Sequence, residues 1–426
     1  MTLAINVTVL ICLIIFLYYT IKTKWKLFFL YGMLVFQALT IIPSLIYIEE
    51  GIYISEQGRD SFFVGATFFY LLYFVFTFFF ISLTFNSLRS YDISAIKIKL
   101  GKTNIDSKVV LLVALLSLFI LLVNAAQSKL PIFDDSVTRF TYWKNSQYPF
   151  LNKIFGNVSV FIPFCLGIVF KKHRKTAIFL MVVYFAYNFT IGQKFSPIVS
   201  GLYAFILPNA LTYAPEKVNL RKFINIKTII AVILIFGSSY YVIYKRYENN
   251  PPYRYIGISN PNEAIVYRAF GLQGHLFWGT VETYMVNSGE HTYDLSDLEY
   301  GMHELMYQFM PNREVLDEAK QKGASYTNGY PSILLMIYPA WLALLVHIFF
   351  SITILGLLGW LLYKFIIKEA YIVSVITFQF FNWAMYAFTM GYFYKLKIPI
   401  LFILIYLFLA FILFRIKKKE NIIPTN

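Results

Sequence analysis

Long uncharged apolar runs recur along this 426-residue chain, and they limit its architecture more than any other feature. The composition is 58% hydrophobic and 20% aromatic, which is more apolar surface than a soluble protein of this length can bury. Runs of about 17 or more apolar residues are typical of helices that cross a membrane. The first run, from Thr2 to Thr20, has no basic segment before it and no small-residue cleavage site. We therefore expect a permanent span there rather than a signal peptide.

The runs predict an all-α, polytopic integral membrane protein with about eleven transmembrane helices. Their approximate bounds are 2–20, 27–47, 62–86, 109–126, 154–170, 176–192, 196–212, 228–244, 336–363, 370–393 and 398–414. Between the eighth and ninth runs lies the longest polar segment of the chain. The spans leave short connections elsewhere, so chemistry is expected mainly in that segment.

Basic residues are unevenly distributed between the two sides that the alternating spans define. One side takes residues 21–26, 87–108, 171–175, 213–227, 364–369 and the tail from Arg415, which hold 22 of the 37 Lys and Arg residues but only five of the 22 Asp and Glu residues. Cytoplasmic loops are enriched in Lys and Arg. We therefore expect the N-terminus and the long loop outside and the C-terminus inside.

An even span count with the N-terminus inside follows if the first run inserts differently. The net charge of +15 is then explained by topology and gives no reason to expect a nucleic-acid partner.

This topology divides the chain into three parts. Residues 1–244 form an N-terminal bundle of about eight spans, with an outward loop at 127–153 and an outward hairpin at 192–197. Residues 245–335 form a large outward loop with two or three helices, and residues 336–426 form the C-terminal spans and a basic cytoplasmic tail.

Cationic side chains lie among aromatic residues in the predicted outward segments: Arg139, Lys194, Arg246, Arg254 and Arg268. The guanidinium group of arginine presents a planar fork of donors that suits phosphate and pyrophosphate. Aromatic rings can pack on the faces of sugars and are favourable at the level of lipid headgroups. The pattern favours a site for a lipid-linked pyrophosphate, although the same residues could instead pair with acidic residues of the loop and with lipid headgroups.

Within the long loop, a helix start is encoded at Asn260. Asn260 can cap the helix, a proline follows at its first position, and Glu263 completes a capping box. We expect this helix to run to about Val286. Three polar residues would then share one face because they are spaced by seven positions: Arg268, His275 and Glu282.

His275 is a candidate general base for an attacking hydroxyl group, with Glu282 as the alternative. A second capped start at Ser296 predicts a helix that ends near Pro311. The outward histidines lack the spacing of metal ligands, and both cysteines, Cys12 and Cys165, lie within apolar runs. We expect no metal and no cofactor.

The sequence contains no Walker loop, dinucleotide fingerprint, HExxH or GxSxG motif. An enzyme on the outer side, without a nucleotide site, has no ATP or sugar nucleotide to use. Its substrate must therefore arrive already activated.

In layout and in four short patches, the chain resembles the O-antigen polymerase (Wzy-type) family. The patches are TRFTYW around Arg139, GQKFSP with Lys194, YRAFGLQGHLFW with Arg268, and SYTNGYP before the ninth predicted span. The resemblance implies a membrane glycosyltransferase with a GT-C-like fold in the bacterial inner membrane, with a periplasmic N-terminus and a cytoplasmic C-terminus. Such an enzyme polymerises undecaprenyl-pyrophosphate-linked oligosaccharide repeat units into O-antigen or capsular-type polysaccharide at the periplasmic face.

The residue pattern and the resemblance together predict roles for individual residues and partners. Arg268 would act with His275 and Glu282 in catalysis. Pyrophosphate and sugar would be bound by Arg139, Lys194, Arg246, Arg254 and Tyr326. The implied partners are the lipid-linked substrate, the bilayer, a chain-length regulator and a flippase.

Three alternatives remain open from the sequence. An O-antigen ligase, which transfers polysaccharide from the lipid carrier to lipid A core, shares the layout and also uses arginines with a histidine. A lipid-linked oligosaccharide flippase or transporter would place ionisable groups near the middle of the membrane. An accessory membrane protein would tolerate substitution of every loop arginine.

Overall fold

A computed structural model describes most of the apolar runs and parts of the polar segments. The described residues are 2–50, 63–89, 103–134, 136–137, 139, 141–155, 160–193, 195–213, 260–266, 270–271, 273–286, 328–391 and 400–408, with a few single positions between 237 and 248 and at 314 and 317. All regular secondary structure within these residues is helical.

Fifteen α-helices follow one another along the described residues. They are α1 Thr2–Leu30, α2 Gly32–Glu49, α3 Ala66–Ser87, α4 Thr103–Ala126, α5 Tyr142–Asn145, α6 Leu151–Phe155, α7 Phe161–Ile168, α8 Arg174–Thr190, α9 Phe195–Thr212, α10 Pro261–Val266, α11 His275–Val286, α12 Ser332–Ile337, α13 Ala340–Phe350, α14 Leu357–Ile367 and α15 Tyr371–Met390. A π-helical segment, Ser351–Gly356, joins α13 to α14 without a break.

Six helices of the described residues are long and apolar enough to cross a membrane: α1, α2, α3, residues 106–126 of α4, the continuous unit from Ala340 to Ile367, and α15. Their outer faces carry large apolar side chains, such as Ile14, Phe79 and Phe119, that are 56–64% exposed. Such faces are stable against lipid and unfavourable against water. The fold is that of a helical membrane protein.

The connection between the first two spans differs from the prediction. Residues 21–26 were expected to form a loop, but α1 continues through them to Leu30, and the chain turns at Tyr31. Lysine is a good helix former, so the three lysines of this segment change the polarity of the helix without ending it. The helix is instead kinked at Lys24, whose backbone angles are non-helical at φ −137° and ψ 40°.

Other predicted spans are matched in part. The runs at 176–192 and 196–212 form α8 and α9, whereas the run at 154–170 gives only the eight-residue α7 within its described part, because the chain turns at 169–173. Most of 228–244 lies outside the described residues, as do 409–414 of the last predicted span.

Contacts between helix ends define two ends of the bundle. At one end the ammonium group of Lys24 is bonded to the hydroxyl of Ser82, and the hydroxyl of Tyr31 donates to the carbonyl of Leu355 at 2.7 Å. At the opposite end the carboxylate of Glu49 accepts hydrogen bonds from the N–H groups of Gly65 at 3.0 Å and Thr67 at 2.9 Å, which caps α3. Residues 21–26 and 87–89 thus share one end, as the alternation of spans predicts.

The predicted outer loop is partly built into this bundle. Helix α11 packs against α2, α3 and α12, and Trp278 on α11 is fully buried. The indole N–H of Trp278 donates to the carbonyl of Phe63 at 3.1 Å. Helix α11 is therefore a part of the core at the Glu49 end of the bundle.

Candidate functional site

Three of the predicted site residues lie within the described structure: Arg139, His275 and Glu282. The others lie outside the described residues: Lys194, Arg246, Arg254, Arg268 and Tyr326. The predicted helix from Ser296 to Pro311 also lies outside them.

The expected continuous helix from residue 260 to 286 is wrong. Asn260 caps a helix as predicted, with its side-chain oxygen accepting from the N–H of Glu263 at 2.9 Å, but α10 ends at Val266. A turn at residues 273–274 precedes α11, which begins at His275. The seven-residue register therefore relates His275 to Glu282 on α11, whereas Arg268 lies outside the described residues.

The turn before α11 is fixed by Ser44 of α2. The Ser44 hydroxyl donates to the carbonyl of Gly271 at 2.9 Å and accepts from the N–H of Gly274 at 2.8 Å. A Cβ atom at Gly274 would lie 3.0 Å from the side chain of Leu45 and 3.1 Å from its backbone nitrogen. Glycine is needed here because the backbone of the turn lies directly against α2.

A chain of side-chain amides, two of them buried, holds the other side of the same turn. The side-chain amide of Asn328 donates to both the backbone carbonyl and the side-chain oxygen of Gln273, at 3.2 and 2.8 Å. Gln37 on α2 donates to the side-chain oxygen of Asn328 at 3.3 Å and to the carbonyl of Thr389 at 3.1 Å. Asn328 has φ +70°, a left-handed conformation that asparagine tolerates better than most residues. These bonds join α2, α15 and the segment before α12 to the start of α11.

His275 is thereby held in a protein interior rather than in a solvated loop. It is only 3% exposed, while Glu282, two turns later, is half-buried. Since α11 turns by about 100° per residue, these two side chains leave the helix on one face. A buried imidazole and a half-buried carboxylate on one face form an arrangement that can exchange a proton with a bound group.

Arg139 lies against the outward hairpin predicted at 192–197. Gly192 has φ +72°, and a Cβ atom there would lie 3.6 Å from the Cβ of Arg139 and 3.1 Å from that of Pro131. The loop that carries Arg139 is attached to α4 through Asn124, whose side-chain oxygen accepts from the N–H of Tyr148 at 3.0 Å. The structure thus brings together two of the segments that the sequence placed on one side.

A buried histidine that sequence reasoning did not select lies in α13. His347 is 4% exposed, its Nδ1 atom is 2.6 Å from the hydroxyl of Tyr330, and its Nε2 atom is 3.0 Å from the hydroxyl of Thr77. The Thr77 hydroxyl donates to the carbonyl of Tyr73 at 2.8 Å. All these bonds are satisfied when Nε2 carries the imidazole proton and the Tyr330 hydroxyl donates to Nδ1. Burial raises the pKa of Tyr330 well above its usual value, which keeps this donor protonated.

A signal for this cluster does exist in the sequence. His347 is the only charged or titratable side chain of the apolar run from Leu342 to Gly356, and a polar group in such a run is costly unless it is paired. Its partners lie on α3 and before α12, so they could not be named without the structure.

An apolar pocket of about 280 Å³ lies beside this histidine, between α3, α11, α12 and α13. Its walls include Phe69 and Phe76 from α3 and Phe277 and Met285 from α11. Phe69, Phe76 and Met285 are also 39–52% exposed at the periphery of the bundle, so the pocket opens toward the surface that lipid would cover. Its size and lining suit a segment of hydrocarbon chain.

The pocket and the polar face of α11 are on different sides of that helix. Phe277 and Val281 line the pocket and lie about 200–240° around the helix from His275. One face of α11 therefore meets the apolar pocket, and the other presents His275 and Glu282. Among the described residues, no group of three or more His, Cys, Asp or Glu side chains is placed to hold a metal ion.

Comparison with known proteins gives one match. Residues 295–407 are similar to a family of unknown function (DUF6418). No curated protein and no solved structure matches the chain. The matched residues include Tyr330, His347 and helices α12 to α15, whereas Arg139, His275 and Glu282 precede them. The similarity therefore covers part of the cluster around His347 and part of the pocket. The predicted catalytic residues lie outside the matched region.

Proposed function

We propose that this protein is a membrane glycosyltransferase that polymerises undecaprenyl-pyrophosphate-linked oligosaccharide repeat units. The observation that carries the proposal is the two-sided placement of α11. Its apolar face lines a pocket that opens toward lipid, and its polar face holds His275 and Glu282 at the same end of the bundle as the Arg139 loop. A substrate with a polyprenyl chain and a sugar pyrophosphate headgroup needs both kinds of surface.

In the proposed reaction, a hydroxyl oxygen of one repeat unit attacks the anomeric carbon of another. The bond between that carbon and the pyrophosphate oxygen breaks, and the lipid pyrophosphate leaves. His275 or Glu282 accepts the proton of the attacking hydroxyl. Arg139, together with Lys194, Arg246, Arg254 and Arg268, neutralises the charge that develops on the leaving group, and Tyr326 contacts the sugar.

The finer architecture belongs to the same proposal. We infer about eleven spans in a GT-C-like arrangement, in a bacterial inner membrane with the N-terminus in the periplasm and the C-terminus in the cytoplasm. The α11 end of the bundle then faces the periplasm, where repeat units carried on undecaprenyl pyrophosphate are joined. A flippase and a chain-length regulator are the protein partners proposed for this activity.

A transporter is the less favoured function. It would be supported by a central cavity lined with ionisable groups. The pocket beside α11 is apolar apart from His347, Tyr73 and Tyr284, and His347 is already engaged with Tyr330 and Thr77.

The test is a polysaccharide gel on cells that lack the protein, complemented with wild type or single variants. We expect the single variant of whichever residue is the base, His275→Ala or Glu282→Gln, to leave a single repeat unit on the lipid core, while wild type restores the full ladder. His173→Ala, at the opposite end of the bundle, is the matched control and should restore the ladder. Immunoblots of membranes establish that every variant is present at equal amounts.

The outcomes separate the alternatives. Absence of even one repeat unit in the deletion strain would indicate a ligase or a flippase instead. A full polysaccharide ladder from both α11 variants would contradict the proposed catalytic role of that helix.

A further inference from the structure

A cationic groove lies at the end of the bundle opposite α11. It has a volume of about 490 Å³ and is formed by the ends of α1, α3 and α14. Its lining includes Lys24, Lys26, Arg89 and Lys364, and among the described residues no acidic side chain lines it. Four positive groups around one groove favour an anionic ligand.

The kink of α1 builds this groove. On a continuous helix, residues two positions apart point in different directions, so Lys24 and Lys26 could not both face one groove. The non-helical backbone of Lys24 changes this. The ammonium group of Lys24 reaches the hydroxyl of Ser82 on α3, and that of Lys26 lies 3.5 Å from the hydroxyl of Tyr363 on α14. The two lysines are thus held at opposite walls of the same groove.

Aromatic rings accompany the cations in a way that is typical of the membrane surface. The ammonium group of Lys26 lies 5.7 Å from the ring centres of both Trp25 and Tyr363, and that of Lys364 lies 5.6 Å from the ring of Trp360. Tryptophan and tyrosine are enriched at the level of lipid headgroups. The groove therefore sits where a headgroup is located and not in the middle of a span.

An exposed apolar stripe leads from the lipid-facing surface into the groove. Phe79 and Leu83 on α3 are 56% and 47% exposed, and Asn86, which follows them on the same helix face, lines the groove. A ligand with its charged group in the groove can therefore place acyl chains along α3. Free phosphate would use the cations but not the stripe.

We propose that this groove binds the phosphodiester headgroup of an anionic phospholipid. The lysines neutralise the phosphate as point charges, and Arg89 offers two parallel N–H donors to its oxygens. The site is separate from α11 and independent of the polymerase activity. Basic pockets between membrane helices are suited to this class of lipid.

Native mass spectrometry of the purified full-length protein in detergent micelles tests the proposal. The probes are phosphatidylglycerol, phosphatidylethanolamine with the same acyl chains, and inorganic phosphate. Wild type should retain phosphatidylglycerol in preference to phosphatidylethanolamine. Lys24→Gln/Lys26→Gln should weaken phosphatidylglycerol binding by roughly thirty-fold, because each basic residue near an anionic headgroup is worth about a fivefold change in affinity.

The matched control removes the same charge from the same end of the bundle. Lys22 and Lys171 are exposed and do not line the groove, so Lys22→Gln/Lys171→Gln should leave the affinity unchanged within about twofold. Arg89→Gln is a second variant that keeps the contact between Lys24 and Ser82, and Arg89 itself is exposed. It should weaken binding about fivefold.

Equal loss of binding in the groove and control variants would overturn the proposal, since it would mean that total surface charge alone attracts the lipid. Displacement of phosphatidylglycerol by millimolar inorganic phosphate would also overturn it and would assign the groove to free phosphate. Neither result would bear on the polysaccharide ladder.

Discussion

The hydroxyl of Ser44 accepts a hydrogen bond from the N–H of Gly274 at 2.8 Å, and this contact joins α2 to the residue before His275. The same hydroxyl donates to the carbonyl of Gly271 at 2.9 Å. One side chain therefore provides a partner for a backbone group on each side of the turn. The partners are more than 200 positions apart in sequence. The position of the proposed base therefore depends on a residue in the second helix of the chain.

Ser44→Ala is expected to lower the free energy of unfolding by about 1–3 kcal/mol, because it leaves a buried N–H and a buried C=O without a partner. Thermal unfolding in detergent, followed by tryptophan fluorescence, measures the change. Ser87→Ala is the control, since Ser87 is exposed at the end of α3. Equal melting temperatures for the two variants would show that Ser44 does not hold the turn.

The extent to which the sequence predicted the fold is clear from the span bounds. The predicted runs 27–47, 62–86, 109–126 and 370–393 correspond to α2, α3, α4 and α15, with bounds that differ by at most six residues. Run length and apolar content set these bounds because a bilayer has one thickness. The capped start at Asn260 was also predicted correctly, since a cap is a local interaction.

What the sequence did not predict depends on contacts between distant residues. The expected helix from 260 to 286 is interrupted by a turn at residues 273–274, where Gly271 and Gly274 bond to Ser44, a contact that no local pattern encodes. His347 looks isolated in its run until Thr77 and Tyr330 are brought to it by the fold. Helix propensity predicts neither the turn before α11 nor the partners of His347, because tertiary contacts override it.

The His347 cluster leads to a second stability prediction. Tyr330→Phe should destabilise the protein by about 1–3 kcal/mol, because the Nδ1 atom of the buried imidazole loses its donor. Thr77→Val should remove the partner of Nε2 at a similar cost, and the double variant should cost less than the sum because both residues serve one imidazole. Tyr19→Phe, at a 56% exposed position, is the control for loss of a hydroxyl.

Nitrogen-15 chemical shifts of the imidazole test the assigned tautomer directly. Wild type should show a protonated Nε2 and an unprotonated Nδ1. The opposite pattern would mean that Tyr330 accepts a hydrogen bond from the ring.

The approach of α14 to Tyr31 makes a third prediction. A Cβ atom at Gly359 would collide with the hydroxyl oxygen of Tyr31, whose buried ring cannot move aside. Gly359→Ala should therefore cost about 1–3 kcal/mol through overpacking. Tyr31→Phe removes this oxygen and leaves the ring carbon Cζ, which would lie 2.8 Å from the added Cβ atom, so the overlap is smaller and Gly359→Ala/Tyr31→Phe should be at least as stable as Gly359→Ala alone.

Gly237→Ala is the matched control, because Gly237 is exposed and no atom of the described residues lies within 4 Å of a Cβ atom at that position. Detergent melting curves of the four proteins give the comparison. Additive losses from Gly359→Ala and Tyr31→Phe would count against the close contact.

The apolar pocket beside α11 links the fold to the proposed function. If it holds part of the polyprenyl chain, a larger side chain inside it should lower substrate binding while the bundle stays folded. Ala340 lines the pocket at the start of α13 and is not fully buried, so Ala340→Phe can occupy the pocket without overpacking the core. We expect shortened polysaccharide ladders from this variant at normal protein levels.

Ala126→Phe places the same ring at an exposed position on α4 and should leave ladder length unchanged. Full-length ladders from Ala340→Phe, with a melting temperature equal to that of wild type, would exclude the pocket as the site of the lipid chain, because the ring would then fill it without any effect on polymerisation.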